Sequence, residues 1–246
     1  MYLTRFPINV TRRATRKMVT SPYCMHAAIA GCFPPSTGTD VTGRILWRID
    51  NLDDGGFVLY IASPTKPSLM GLDEQIGWPD LDQQWETRDY EPFVRSIHNG
   101  GLYHFRLAAN PVVNRVGIVN DHGATKRLPH LTTLHQAAWL VGATAYEETG
   151  APVPLYVTKQ GATRAERNGF EVCHDDSGSL QLVVSNVRKR TFEQGKGGRT
   201  ITLLMVQYDG ILEVTNADKL RHVLRYGLGK AKGFGCGLMT LVPMGA

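Results

Sequence analysis

The order of strand-like and helix-like segments in the first ninety or so residues constrains the fold more than any other feature of this sequence. Residues 1–10 alternate apolar and polar side chains, which predicts a strand, and GRILWRID and GFVLYIAS predict two more strands around the turn NLDDGG. Residues 21–33 and the weaker segment PSLMGLDEQ predict helices, and a last strand is expected near WETRDYEPF. The order β-α-β-β-α-β is that of a ferredoxin-like domain, in which both helices cover one face of an antiparallel sheet.

A second unit with a similar order is predicted after SIHNGG. LYHFRLAAN predicts a strand, LTTLHQAAWLVGATAYEE a helix, and FEVCHD and SLQLVVSNV two strands. RTITLLMVQYDGILEVT predicts a hairpin about Asp209-Gly210, followed by the helix ADKLRHVLRYG, capped by Asn216 or Thr215 and ended by Gly227, and the strand GLMTLVP. We therefore predict an α+β fold of two tandem ferredoxin-like (RRM-like) domains with antiparallel sheets, residues 1–93 and 99–246, with an extra basic β-hairpin in the second.

The predicted helix over residues 21–33 carries a possible catalytic pair. TRRATRK, just before it, is predicted to be a polar, cationic connection, after which Ser21 can cap the helix and Pro22 can take its first position. Tyr23 and His26 are three residues apart and share the face opposite the apolar stripe. Histidine transfers protons near neutral pH and tyrosine can orient a reacting group, so this face suits proton transfer. For YxxH taken alone, a packed tyrosine beside a solvent-facing histidine is the more frequent situation.

The glycine-rich run GLGKAKGFGCGLM, residues 227–239, joins the last predicted helix to the last strand. Glycine lets backbone N–H groups approach a phosphate closely, and lysines add charge, yet the run does not match a nucleotide P-loop. Phosphate contact and a tight turn with solvent-facing lysines are equally open. The residues concerned are Gly229, Lys230, Lys232, Gly233 and Gly235.

The densest basic stretch is NVRKRTFEQGKGGRT, residues 186–200. Its cations flank a glycine-rich tip between two strands, so a hairpin that follows a nucleic-acid groove is predicted, with a solvated loop as the alternative. ATKRLP repeats the pattern more weakly through Lys126 and Arg127. The cations of the hairpin are Arg188, Lys189, Arg190, Lys196 and Arg199.

Composition narrows the function classes. A formal charge of +5 allows a polyanionic partner without requiring one. The sequence has no run of eighteen apolar residues and no hydrophobic signal core, which predicts a cytoplasmic protein without a membrane span. The cysteines and histidines lack metal-like spacing, and the paired carboxylates sit in turn segments, which argues against a metal-dependent nuclease. We predict no metal ion and no small-molecule cofactor. The cysteines, expected as buried free thiols, are Cys24, Cys32, Cys173 and Cys236.

Together these segments resemble the CasE (Cse3) family of CRISPR repeat-processing endoribonucleases of type I-E systems. The resemblance runs over nearly the whole chain, from MYLTRF and PYCMH through LYHFRLAANPVV and LHQAAWL to DGILEV and GLGKAKGFGCGLMTLVP. The last, glycine-rich segment is the most specific of these.

This resemblance implies metal-independent cleavage of precursor CRISPR RNA just 3′ of the repeat stem-loop. It also implies that the product hairpin stays bound, with the protein as a subunit of the Cascade surveillance complex. His26 matches the catalytic histidine and Tyr23 its partner, and the basic hairpin matches the region that grips the stem. Pro22 and Ala27 flank the motif where some members carry arginine or another polar residue, so a cation near the scissile phosphate must come from elsewhere. Arg199 and Lys196 are the candidates.

Two other functions remain compatible with the sequence. A non-catalytic subunit could hold the stem-loop with the same fold and charges while Tyr23 and His26 do nothing. A small-molecule-binding ferredoxin-like protein is a more distant alternative, which failure to bind any structured RNA would favour.

Overall fold

The computed structural model describes residues 1–35, 43–53, 55–78, 84–119, 125–146, 152–155, 161–195 and 197–245. Its first half contains β1 (Tyr2–Ile8), α1 (Arg13–Thr20), α2 (Pro22–Ala30), β2 (Leu46–Asn51), β3 (Phe57–Ser63), α3 (Met70–Ile76) and β4 (Glu86–Asp89). These strands form one antiparallel sheet in the order β2-β3-β1-β4. The predicted ferredoxin-like order is therefore confirmed for this part of the chain.

The remainder of the chain builds a second sheet of the same plan. Its elements are α4 (Glu91–Ser96), β5 (Leu102–Ala109), β6 (Val112–Val119), β7 (Thr125–Pro129), α5 (Thr133–Val141), β8 (Ala143–Tyr146), β9 (Pro152–Leu155), α6 (Arg164–Arg167), β10 (Phe170–Val172), β11 (Leu182–Glu193), β12 (Thr200–Val214), α7 (Ala217–Tyr226), a 3-10 turn (Lys232–Phe234) and β13 (Met239–Pro243). The order β10-β12-β5-β13 repeats that of the first sheet, and β11 also pairs with β12. The predicted tandem ferredoxin-like architecture is confirmed.

Helix α1 corrects the prediction of a connection at TRRATRK. Thr15 is buried, and Met18 and Val19 pack against the first core. These inward-facing positions are three and four residues apart, which is the spacing of one face of a helix. The prediction for α2 is confirmed: the Ser21 hydroxyl accepts a hydrogen bond from the Cys24 N–H at 3.4 Å, and Pro22 is the first helical residue.

Two element predictions in the second half are wrong. The helix predicted through residue 148 ends at Val141, because Gly142 has φ +70°, and a strand follows. The hairpin predicted about Asp209-Gly210 does not exist, since β12 runs through it. Asp209 accepts a hydrogen bond from Arg106 of the neighbouring strand at 2.5 Å, and a side chain at Gly210 would overlap the Gln181 carbonyl oxygen. This glycine serves a close approach between strands rather than a turn.

The predicted ends of α7 are confirmed. The Asn216 side chain accepts a hydrogen bond from the Lys219 N–H at 3.0 Å, and Gly227 ends the helix with φ +75°. Among the described residues, no helix is both long and apolar enough to span a membrane.

The two sheets each have a core, and they meet at a contact that we call the seam. The seam joins β2 and α2 to β5, β11 and residues 227–238. Near its centre the Arg48 guanidinium is buried, binds Asp50 at 2.6 Å and 2.9 Å, and donates to the carbonyl oxygens of Arg106 and Leu238 at 2.9 Å and 3.2 Å. The hydrogen bonds of Arg48 therefore link β2 of the first sheet to β5 and Leu238 of the second half of the chain.

Candidate functional site

Helix α2 carries Tyr23 and His26 to the seam, where both side chains are half-buried. A side-chain carbon placed on Gly233 would lie 3.7 Å from the His26 ring, and the Phe234 ring meets that imidazole edge-on at 6.5 Å between centroids. A side-chain carbon on Gly195, at the hairpin tip, would lie 3.5 Å from the Tyr23 hydroxyl. The YxxH face of the first sheet therefore opposes two glycine-rich segments of the second.

The environment of His26 favours its neutral form. Burial, and after it the positive charge of Arg44, holds the pKa of the imidazole below its ordinary value. The Nδ1 atom is buried and has no hydrogen-bond partner within the described part of the chain. A half-buried, neutral imidazole with an unused nitrogen is equipped to exchange a proton with a bound ligand.

Two cations lie on this side of the seam: Arg44, whose charge acts on His26, and Lys232, which precedes the glycine that faces the imidazole. The Lys232 ammonium donates a hydrogen bond to the Tyr226 carbonyl oxygen at 2.6 Å, at the end of α7. Next to it, the Arg44 N–H donates to the Arg225 carbonyl oxygen at 2.9 Å, while the arginine side chain is exposed. Burial, then Arg44 and Lys230, lowers the pKa of Lys232, as expected where like charges are crowded. Neither Arg44 nor Lys232 has an ion-pair partner among the residues that the structure describes.

Arg44 is a candidate that the sequence analysis missed. It precedes an ordinary strand and belongs to no motif, so only the packing of β2 against the end of α7 brings it near His26. The glycine-rich loop is the one indirect signal for Arg44. A loop predicted to lie against His26 would also lie near the residues beside α2, and Arg44 is one of these.

The basic hairpin distributes its charge over two faces. Arg188 and Arg190 line a small cavity of about 50 Å³ in the seam, together with Pro22 and Trp47. Lys189 points to the other side, because side chains alternate along a strand. There it lines a cavity of about 490 Å³, whose wall also includes Lys230, Phe234 and Leu204.

The structure describes the side chain of only one of the remaining predicted cations, Arg199. Arg199 is exposed at the start of the returning strand, and its carbonyl accepts a hydrogen bond from the Gln194 N–H at 3.0 Å, which closes the hairpin tip. Lys196 lies outside the described residues. Lys126 and Arg127 belong to β7, but their side chains are also outside what the structure describes.

The predicted glycines of the loop have unequal surroundings. At Gly229 (φ +87°) a side chain would crowd Trp139, and at Gly235 (φ +83°) it would overlap Trp47, so the backbone conformation and these neighbours together favour glycine at both positions. Gly233 instead faces His26. Cys236, in the same loop, is fully buried, and burial raises the pKa of its thiol to about 12. The phosphate contacts predicted for this loop thus remain a prediction, with Gly233 best placed to make one.

Within the described residues, no group of three or more His, Cys, Asp and Glu side chains is arranged to hold a metal ion. The groups that converge on the seam are instead an imidazole, a phenol and several cations. Such a set suits proton transfer beside a phosphate. The fold and this site define a class: tandem ferredoxin-like proteins with a histidine–tyrosine face set against a cationic hairpin and a glycine-rich loop.

Comparison with known proteins identifies the family within that class. The chain belongs to the family described as CRISPR associated protein, whose model matches residues 1–243. The CRISPR-associated endoribonuclease Cse3 of Thermus thermophilus is 25% identical over 250 residues, which cover 99% of this chain and 100% of the relative.

Solved structures agree in fold. The structure of CRISPR endoribonuclease Cse3 bound to a 19-nt RNA matches with a TM-score of 0.74 at 23% identity, over 99% of this chain and 100% of that one. A chain of a CRISPR RNA-guided surveillance complex matches with a TM-score of 0.54 at 16% identity, again over 99% and 100% of the two chains.

Proposed function

We propose that this protein is an endoribonuclease that cleaves precursor CRISPR RNA at the 3′ base of the repeat stem-loop without a metal ion. Its family, its full-length similarity to the Cse3 endoribonuclease and its likeness in fold to an RNA-bound Cse3 support this proposal. The observation that carries it is the position of His26. This imidazole has a lowered pKa and an unpartnered buried nitrogen, and it lies in a seam lined by cations.

The chemistry needs only proton transfer and charge stabilisation. The 2′-hydroxyl before the cut gives its proton to a base and its oxygen forms a bond to phosphorus, while the bond from phosphorus to the 5′-oxygen breaks and that oxygen takes a proton from solvent water. The products are a 2′,3′-cyclic phosphate and a 5′-hydroxyl. General acid–base help of this kind contributes roughly 10²–10⁴ in rate.

We assign the base to His26 and the positioning of the phosphate to the cations beside it. A histidine with a lowered pKa is mostly neutral at pH 7, so it can accept the proton of the 2′-hydroxyl. Arg44 and Lys232 stand where they can stabilise the charge that develops on the phosphorane. Tyr23, in the preceding turn of α2, hydrogen-bonds the reacting nucleotide. Arg199 and Lys196, the earlier candidates for this cation, are assigned to stem binding with the rest of the hairpin.

The basic hairpin and the glycine-rich loop are proposed to hold the stem. Arg188 and Arg190 face the seam, and Lys189 and Lys230 face the larger cavity, so the two faces of the hairpin can contact phosphates on both sides of a groove. Lys126, Arg127, Lys196, Arg199, Lys232, Gly229, Gly233 and Gly235 complete the proposed RNA-binding set.

The cellular setting follows from the same proposal. The likeness in fold to a chain of a surveillance complex supports a role as the subunit that keeps the product hairpin in Cascade, in the cytoplasm. The division into domains 1–93 and 99–246 remains a prediction. Val94 and Ile97, near the proposed boundary, are buried in the second core.

Cleavage of a labelled cognate repeat in EDTA tests the function. We expect cutting by the wild type, loss of cutting by roughly 10²–10⁴ in His26→Ala, and no cutting of RNA with a 2′-deoxy nucleotide before the cut. Tight binding without cutting by the wild type would favour the non-catalytic stem-loop subunit. A requirement for divalent ions would refute the metal-independent step.

A modified leaving group tests the role of His26. RNA with sulfur in place of the bridging 5′-oxygen has a leaving group that needs no general acid. If His26 is the base, His26→Ala should remain equally impaired on this RNA. Recovery of the rate would show that His26 is the acid instead.

A further inference from the structure

The first 35 residues have an unusual charge. They contain five cations and neither aspartate nor glutamate, and four of the cations are Arg12, Arg13, Arg16 and Lys17, at the start of α1 or within it. Arg13, Arg16 and Lys17 are exposed, and none of the four makes an ion pair within the described ranges. A short helix with this charge and no internal partner is suited to an anionic one.

Helix α1 borders a groove of which the proposed function uses only Tyr23. The groove encloses about 690 Å³ among α1, α2 and α3, a size within the usual range for ligand pockets of about 300–1,000 Å³. Its walls consist largely of small side chains, with Lys17 and Gln75 at two sides and Tyr23 at a third. Walls of this kind leave room for the flat face of a base, and Lys17 supplies charge for its phosphate.

Tyr23 connects this groove to the proposed cleavage site. It lines the groove, and its hydroxyl lies against the hairpin tip at Gly195. In the proposed function, the RNA 3′ of the cut has left the stem and is single-stranded. Because Tyr23 lies both at the cleavage site and in the wall of the groove, a strand that leaves past Tyr23 would enter this groove.

We propose that the groove and the cationic face of α1 bind the single-stranded RNA that continues 3′ of the cleavage site. The occupant is a polyanion with bases, which matches both the unpaired charge of α1 and the apolar walls. This proposal rests on the proposed function, because it takes the direction of the strand from the position of the cut. Its consequence is that the uncut precursor binds more tightly than the product hairpin, which lacks this segment.

Binding measurements with two RNAs test the proposal. One is the repeat hairpin ending at the cut, and the other carries four more nucleotides, with a 2′-deoxy nucleotide before the cut to prevent cleavage. For the wild type we expect the extension to raise affinity about tenfold and to steepen the salt dependence by about 0.7 per phosphate contacted. Equal affinity for both RNAs would overturn the proposal. Failure to bind either RNA would instead count against the proposed function.

Two variants locate the effect. Arg16→Ala/Lys17→Ala should lose most of the gain from the extension and keep the affinity for the hairpin, whereas Lys219→Ala, an exposed lysine on α7, should behave as the wild type. Ala14→Trp, which fills the groove from an exposed position of α1, should reduce the gain without removing charge. If the extension still raised the affinity of Arg16→Ala/Lys17→Ala and of Ala14→Trp as much as that of the wild type, the proposal would be overturned. If both variants bind RNA normally but fail to assemble with other Cascade subunits, the groove is a protein-docking surface and the proposal is wrong.

Discussion

Two groups of arginine and lysine side chains lie in the seam, and they differ in what neutralises them. In the first, Arg48 and Arg106 share Asp50, Arg106 also pairs with Asp209, and the Arg48–Asp50 pair is only 4% exposed. In the second, Arg44 and Lys232 near His26, and Arg188 and Arg190 on the hairpin, have no carboxylate partner within the described residues. The first group has its counter-charge within the chain and holds the sheets together. The second requires a counter-charge from outside, which is what a site for a phosphate needs.

Breaking the paired group should have the largest effect. Asp50→Ala leaves the buried Arg48 guanidinium without its partner, which typically costs about 3–5 kcal/mol of unfolding free energy. Urea unfolding measures this loss. Glu86→Ala removes a partner of Arg88 in an exposed pair, 56% and 77% exposed, and should cost less than about 1 kcal/mol. Equal losses in the two variants would contradict a special role for the buried pair.

A change in the unpaired group should affect rate rather than stability. Arg44→Ala is expected to slow cleavage about 10²-fold, as removal of one group that stabilises transition-state charge does. Its unfolding free energy should change by less than about 0.5 kcal/mol, as for other exposed positions. Single-turnover cleavage and urea unfolding measure the two effects, and Arg44→Lys, which keeps the charge, should recover part of the rate. An undiminished rate in Arg44→Ala would assign the phosphate to Lys232 alone.

The hairpin arginines should affect affinity and its salt dependence. Each phosphate contact contributes about 0.9 to the slope of log K against log salt for a duplex. Arg188→Ala/Arg190→Ala should therefore lower the slope for the repeat hairpin by about 1.8. Filter binding across salt concentrations measures it, with Lys219→Ala as the matched control. A slope equal to that of the wild type would remove these arginines from the RNA interface.

The smallest expected effect is on the pKa of His26. Because Arg44 contributes to lowering this pKa, Arg44→Gln should raise it toward the ordinary value in the RNA-free protein. NMR titration of the imidazole measures the shift, and His26→Ala identifies the signal. The folded-state pKa lies below that of the unfolded chain, so the unfolded state binds more protons and this histidine makes the protein less stable as pH falls below about 6.5. A lower pKa in Arg44→Gln would contradict the placement of Arg44.

The sequence predicted those parts of the molecule that local chemistry determines. Ser21 and Pro22 start α2, Asn216 and Gly227 bound α7, and the strand order followed from alternation. The hairpin error arose where distant residues decide: Asp209-Gly210 resembles a turn until Arg106 and Gln181 are known to lie beside it.

The candidate site divides in the same way. Tyr23 and His26 could be proposed because three residues on a helix fix their relation. Arg44 could not, because its nearness to His26 depends on how β2 meets the end of α7. The roles of Gly229 and Gly235 were also hidden, since Trp139 and Trp47, which occupy the space beside them, are distant in sequence.

Cys236 makes the seam open to chemical labelling. Its thiol is fully buried in a loop whose neighbouring residues Gly235 and Leu238 pack against Trp47 and Leu46 of β2. Its pKa is raised to about 12, so the thiol stays protonated and inaccessible to an alkylating reagent while the seam is closed. Alkylation at this position therefore reports separation of the two sheets, and its rate measures how often they part. A bound stem-loop that bridges the hairpin and α2 would slow that reaction, whereas one held by the hairpin alone would leave it unchanged.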